Sequence, residues 1–232
     1  MSAGLRERLR TCLAYKILCV LKWATVSFLV AGYCKLLLII KAHYLDKQLG
    51  IETSDFVSFR NIRDSFRDGR YKDGEIYEAI SYEKLGRVLA YLQMTPKDVF
   101  VDLGCGKGRA VLMAARQPLR KAVGVELRAD LYFRARANLD RLNLVTEVVL
   151  LNADAATVDM QEGTVFFMFN PFGYRTIIDV LARIRDSLAA RPRDIRIVYI
   201  NSVYADLLDS QPWLRREQSL GDPKDVIWTS KL

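Results

Sequence analysis

The sequence predicts an α/β fold: a Rossmann-like sheet of seven strands, mostly parallel with a reversed last strand, behind an N-terminal hydrophobic helix. Three observations predict it. Val99-Phe100-Val101 runs into Asp102, then Gly104, Gly106 and Gly108 at alternate positions, then a helix-period segment from Ala110. Short apolar runs alternate with longer amphipathic ones through the rest of the chain, the pattern of βαβ units. Thr164-Val165-Phe166-Phe167-Met168-Phe169 is an unbroken β-favouring run, as a parallel strand covered on both faces requires.

In chain order, the first element is apolar. Cys12 to Ile40 is dominated by Leu, Val, Ile, Ala and aromatics, interrupted by Lys16, Lys22 and Lys35. Trp23–Ile40 is 18 residues with one lysine, long enough to span a bilayer. Residues 12–40 are therefore expected to contact membrane lipids. The Arg6, Arg8, Arg10, Lys16 and Lys22 end belongs in the cytoplasm by the positive-inside rule, which would carry the rest of the chain across. A span of opposite orientation, a hairpin turning near Ala31-Gly32 and a helix lying in the interface all stay open. The soluble alternative is a buried amphipathic helix. The chain divides into a hydrophobic attachment segment (1–45), a linker and lid (46–80) and a catalytic domain (81–232).

Ser81 to Leu92 reads as a helix with Leu85, Val88, Leu89 and Leu92 on one stripe. Strand one is Val99–Val101, and the helix after the glycines ends at Gln117-Pro118. Glycines let the backbone take positive φ and let a ligand approach without meeting a Cβ. The spacing G-x-G-x-G differs from the G-x-G-x-x-G of dinucleotide enzymes, since position 109 is arginine. Asp102 can accept from an ammonium. Strand two, Ala122–Val125, closes with Glu126, a carboxylate that can accept from both hydroxyls of a ribose; the alternative is a surface acid at a strand end. Arg128 to Leu142 is a helix, and strand three is Glu147–Leu151. Asp154 follows, and on its own could be a helix cap. Strand four delivers Asn170-Pro171-Phe172-Gly173 to the carboxyl edge of the sheet, where such folds bind ligands; a plain Asn-Pro turn is the other reading. Tyr174 to Ala190 is a helix, Ile195–Ile200 is strand five, and Leu214–Leu220 with Val226–Ser230 form a final antiparallel pair.

The pattern Asp102-x-Gly104-x-Gly106-x-Gly108 resembles the first motif of class I methyltransferases that use S-adenosylmethionine. From Ile76 to Gly104 the chain also runs without gaps alongside the non-SET lysine methyltransferases of the histone core, and the resemblance covers residues 75–126. It implies that Tyr77 belongs to the loop covering the cofactor, with Ala79 where that family has glutamate. It further implies that Asp102, Gly104, Gly106, Gly108 and Glu126 hold S-adenosylmethionine. Asp154 would take the adenine amino group and the backbone N–H of Ala155 a ring nitrogen. Asn170, Pro171 and Phe172 resemble the fourth motif of amino-directed methyltransferases, usually Asn/Asp-Pro-Pro-aromatic. They would accept the target N–H and wall the target.

Composition narrows the partners. Net charge is +8, but residues 1–50 carry eight basic and two acidic side chains and the remainder only +2. That argues against a broad nucleic-acid surface. With one histidine (His43) and four cysteines lacking any C-x-x-C (Cys12, Cys19, Cys34, Cys105), no metal centre, disulfide framework or Ser-His-Asp triad is expected. Free thiols fit a reducing compartment, cytoplasm or organelle matrix. The expected function is methyl transfer to a nitrogen of a protein lysine. A small-molecule or lipid acceptor at the membrane and a non-catalytic cofactor-binding module are the alternatives.

Overall fold

The computed structural model describes residues 36–54 and 77–231. The chain falls into two compact units, Met1–Tyr44 and Leu45–Leu232. Of the first, residues 36–44 are helical, and Leu36, Leu37, Leu38 and Ile40 are exposed. Among the described residues no helix is long and apolar enough to cross a membrane. The expected span Trp23–Ile40 and the lipid-contacting segment 12–40 lie mostly outside the described residues.

The second unit is built on the sheet. Its strands are β1 (Val99–Leu103), β2 (Lys121–Glu126), β3 (Glu147–Asn152), β4 (Val165–Phe169), β5 (Arg196–Ile200), β6 (Leu214–Ser219) and β7 (Val226–Ser230). Their order is β3-β2-β1-β4-β5-β7-β6. The first five are mutually parallel, and β7 runs antiparallel to both β5 and β6. This is the predicted Rossmann-like sheet with a reversed last strand. The order reverses between β1 and β4, which opens a crevice at their carboxyl ends.

The helices are α1 (Tyr82–Leu92), α2 (Arg109–Ala114), α3 (Ala129–Asp140), α4 (Tyr174–Ala190) and α5 (Ala205–Asp209). Helix α1 buries the expected Leu85, Val88, Leu89 and Leu92, and Ser81 caps it by accepting from the Lys84 N–H. Helix α2 is shorter than predicted. Pro118 disfavours helix at Gln117, and the chain must turn into β2 at Lys121. Strand alternation sends residues to two cores. Phe100 and Phe167 join α1 and α2 on one face, whereas Val99, Val101, Phe166 and Met168 join α4 on the other. Each of these side chains is almost fully buried. Such burial is worth about 1.5–3 kcal/mol per large apolar side chain.

Residues 46–54 are part of this unit. Asp46, Ile51 and Thr53 are buried. Asp46 accepts from the backbone N–H groups of Thr53 (2.8 Å) and Ser54 (2.6 Å) and from the Thr53 hydroxyl (2.8 Å).

Candidate active site

The loop between β1 and α2 is shaped by its glycines. Gly104, Gly106 and Gly108 have φ of +83°, +56° and +90°. At Gly104 and Gly106 space forbids a side chain as well: a Cβ at Gly104 would overlap Pro171, and one at Gly106 would overlap the Tyr77 ring. The loop after β1 thus touches both the segment before α1 and the turn after β4. The predicted cofactor residues and the predicted acceptor turn are brought together at the crevice.

Around this loop stand two buried acids. Asp102 turns one oxygen to the Val111 N–H (3.1 Å), capping the start of α2 across the loop. An ammonium was expected at this carboxylate, so half of it serves the fold. Burial pushes Asp102 up to about 8, the Val111 bond pulls it back and the negative charge of Glu126 adds to the rise. Glu126 accepts from Gly106 N–H and Arg128 N–H, each at 2.8 Å, and burial raises it too. The Arg128 guanidinium turns to Asp130 (2.9 Å), and no cation among the described residues lies within ion-pair distance of Asp102 or Glu126. Cys105 between them is a buried free thiol, pushed up by burial and by both acids.

At the far side, Asp154 is exposed and accepts from Ala156 N–H at 2.9 Å, which leaves its second oxygen open. Ala155 is buried beside it, and its N–H has no acceptor among the described residues. The helix-cap and ligand readings of Asp154 therefore coexist in its two oxygens.

At the acceptor end, Asn170 leaves β4 with φ +41°, a left-handed conformation that asparagine tolerates better than most residues. Its Oδ1 accepts from the Tyr199 hydroxyl at 3.2 Å. Pro171 packs on Gly104. Phe172 is buried in the α4-side core, so it floors the turn and presents no open aromatic face. The aromatics exposed there are Tyr174 and, in part, Tyr204, edge to face with centroids 5.8 Å apart.

Sequence reasoning missed a polar cluster behind the loop. Arg109, the first residue of α2, is buried and donates to Thr53 Oγ1 (2.7 Å), Ser54 Oγ (2.6 Å) and Ile80 O (2.7 Å). It also pairs with Asp46 at 3.5 Å and stacks on Tyr82 at 4.3 Å. Tyr82 donates to Asp46, and burial together with that bond pushes its phenol up to about 12. Burial alone would raise Asp46, but the bonds from Tyr82, Thr53 and Ser54, with the Arg109 charge, hold it below the usual carboxylate range. Thr53, so fixed, accepts from the Tyr77 hydroxyl through its carbonyl (2.7 Å), which sets the Tyr77 ring over Gly106. The one signal was an arginine opening a helix whose next residues are all apolar; a charge there must find partners.

Comparison with known proteins follows the same residues. The family described as Histone methylation protein DOT1 matches residues 64–157. A protein-lysine N-methyltransferase of Saccharolobus islandicus (strain REY15A) is 33% identical over 84 residues, covering 36% of this chain and 52% of the relative. The histone-lysine N-methyltransferase, H3 lysine-79 specific, of Drosophila melanogaster is 37% identical over 67 residues, covering 28% of this chain and 4% of that protein. This chain thus spans about half the length of the first relative and a small part of the second. Among solved structures, a SAM-dependent O-methyltransferase from Thermotoga maritima superposes with a TM-score of 0.50 at 15% identity, covering 74% of this chain and 71% of that one. The chain has the class I, seven-strand methyltransferase fold, and the resemblance of residues 75–126 to the non-SET lysine methyltransferases holds.

S-adenosylmethionine is the cofactor that this resemblance implies, and the residues present fit it. Among the described residues the two buried acids have no cation partner, and the cofactor carries an ammonium and a sulfonium. The missing Cβ atoms at Gly104 and Gly106 let Pro171 and the Tyr77 ring close onto the loop. Glu126→Ala should weaken S-adenosylmethionine binding by about 1–3 kcal/mol, the scale of hydrogen bonds to a charged group. Calorimetry that finds equal affinity in both proteins would place the ribose elsewhere.

Proposed function

We propose that this chain transfers a methyl group to a nitrogen, the side-chain amine of a protein lysine. The observation that carries the reading is the contact between the glycine loop and the Asn170-Pro171-Phe172 turn. It sets an amide acceptor beside the cofactor crevice, at the carboxyl edge of β4 next to β1. The matched relatives named for protein-lysine and histone-lysine methylation support the choice of acceptor. Bound in the crevice, S-adenosylmethionine supplies a methyl carbon on a sulfonium, an electrophile that an amine displaces.

What the chain itself contributes is placement. Asp102 and Glu126 supply negative charge, Tyr77 and the glycines close the loop side, and Asp154 with the Ala155 N–H define the outer end. Asn170 accepts an N–H of the incoming amine and aims its lone pair at the methyl carbon. The amine would take the methyl as the S–C bond breaks with its electron pair left on sulfur, and its extra proton would pass to water.

The exposed apolar residues at 36–40 and the apolar sequence 12–40 support a second part of the proposal. The protein attaches to a membrane through this segment, with its catalytic domain in a reducing compartment that contains the cofactor. A lipid or small molecule at that membrane is the competing acceptor. Labelled-methyl transfer to fractionated membrane protein and lipid, followed by hydrolysis and amino-acid analysis, decides between them. Label in methyl-lysine supports the proposal, whereas label confined to lipid or small molecules overturns it.

Asn170→Ala should cut transfer far more than cofactor affinity, because one acceptor for the amine is lost only where alignment matters. Single-turnover transfer and cofactor dissociation measured in parallel check this. Equal loss in both would make Asn170 a cofactor ligand.

A further inference from the structure

Tyr199 lies on β5 with its ring fully buried in the α4-side core. For packing alone a phenylalanine would serve, and it would carry no hydroxyl to satisfy in the interior. In the β4–β5 register Tyr199 is paired with Met168. Asn170 lies one residue past the end of β4, close to Tyr199 on the neighbouring strand. The hydroxyl donates to Asn170 Oδ1 at 3.2 Å. Asn170 meanwhile holds φ +41°, away from the strand conformation, so its amide leaves the sheet in a direction that the backbone alone does not fix.

We infer that Tyr199 is a positioning residue for methyl transfer: its hydroxyl orients the Asn170 amide towards the acceptor. An amide oxygen has two lone pairs. Tyr199 occupies one from the core side, and the other is left for an N–H at the carboxyl edge of the sheet. The arrangement selects an acceptor that brings an N–H donor to this point. This inference rests on the amine reading above.

The test uses the full chain and three variants: Tyr199→Phe, Asn170→Ala and the double substitution. Tritiated methyl is followed in single turnover into a core-histone mixture and into detergent-extracted membrane protein, while calorimetry reads S-adenosylhomocysteine binding. Tyr199→Phe should slow transfer about tenfold, the scale of one lost hydrogen bond. Its ligand affinity should stay within about twofold, since no cofactor contact is removed. The double variant should be no slower than Asn170→Ala alone, because the hydroxyl acts through the amide. Full speed in Tyr199→Phe, multiplying losses in the double variant, or a matching fall in ligand affinity would each overturn the inference. A second readout needs no acceptor. The side-chain amide resonances of Asn170, identified by their loss in Asn170→Ala, should shift or broaden in Tyr199→Phe, and unchanged resonances overturn the inference. If wild-type label is found on atoms other than nitrogen, the amine reading fails, and the amide resonances still decide whether Tyr199 orients Asn170.

Discussion

Replacing Gly106 by alanine should abolish binding of S-adenosylmethionine while leaving the sheet folded. The backbone at Gly106 has φ +56°, where a Cβ costs roughly 1–2 kcal/mol against the following carbonyl. That cost alone is tolerable for a domain of this size. The larger effect is steric: the added methyl lands on Cε2 of Tyr77. Either Tyr77 swings away, breaking its bond to the Thr53 carbonyl, or the loop shifts and its N–H leaves Glu126. Both escapes disturb a side of the proposed cofactor crevice, and the second also breaks the bond to Glu126, the acid proposed to take the ribose. An affinity loss of at least about a hundredfold is expected, equivalent to roughly 2.7 kcal/mol. Calorimetry reads the affinity, and circular dichroism with thermal melting reads the fold. Affinity within about twofold of wild type, with Tyr77 unmoved, would show that the ligand does not approach the loop here.

Much of this site was legible because its residues sit where the chain's own grammar marks them. Val99-Phe100-Val101 and Val165 to Phe169 announce buried parallel strands by unbroken apolarity, and β1 and β4 form from them side by side. Asp102, Glu126 and Asn170 each follow such a run, so their place at the carboxyl edge came with the strands. Side-chain direction was not legible. Asp102 spends one oxygen on Val111 N–H, and Phe172 is buried in the α4-side core. Nor was the cluster of Asp46, Thr53, Tyr82 and Arg109. Thr53 and Arg109 are 56 positions apart, and residues 46–54 show no period that would mark them as packed. Only the fold brings that segment behind the loop, and only there does the buried arginine find its acceptors.

Asp102→Asn should raise the stability of the ligand-free protein and weaken its affinity for the cofactor. The carboxyl is fully buried with no cation partner among the described residues, and burial lifts it from an ordinary acid to about 8. Between pH 4 and pH 8 the folded protein therefore holds a proton there that the unfolded chain has lost. With more protons bound in the folded state, stability must fall as pH rises through this window. Asparagine fills the same space and has no charge to desolvate, so this slope disappears. Near pH 8 the variant should melt about 5–10 °C higher, from a gain of a few kcal/mol discounted for relaxation around the buried site. Cofactor binding runs the other way. A cationic ligand favours the ionised acid, so wild-type affinity should climb with pH up to about 8 and level off above it. Below that value each pH unit should cost close to tenfold if Asp102 alone couples to the ligand. The variant should show weak affinity without this dependence. Thermal melts and calorimetry at pH 6, 7, 8 and 9 on both proteins check the two slopes together. A wild-type affinity flat across that range would mean that Asp102 serves only to cap α2 through Val111. A variant no more stable than wild type at pH 8 would mean that some other group neutralises the acid in the free protein.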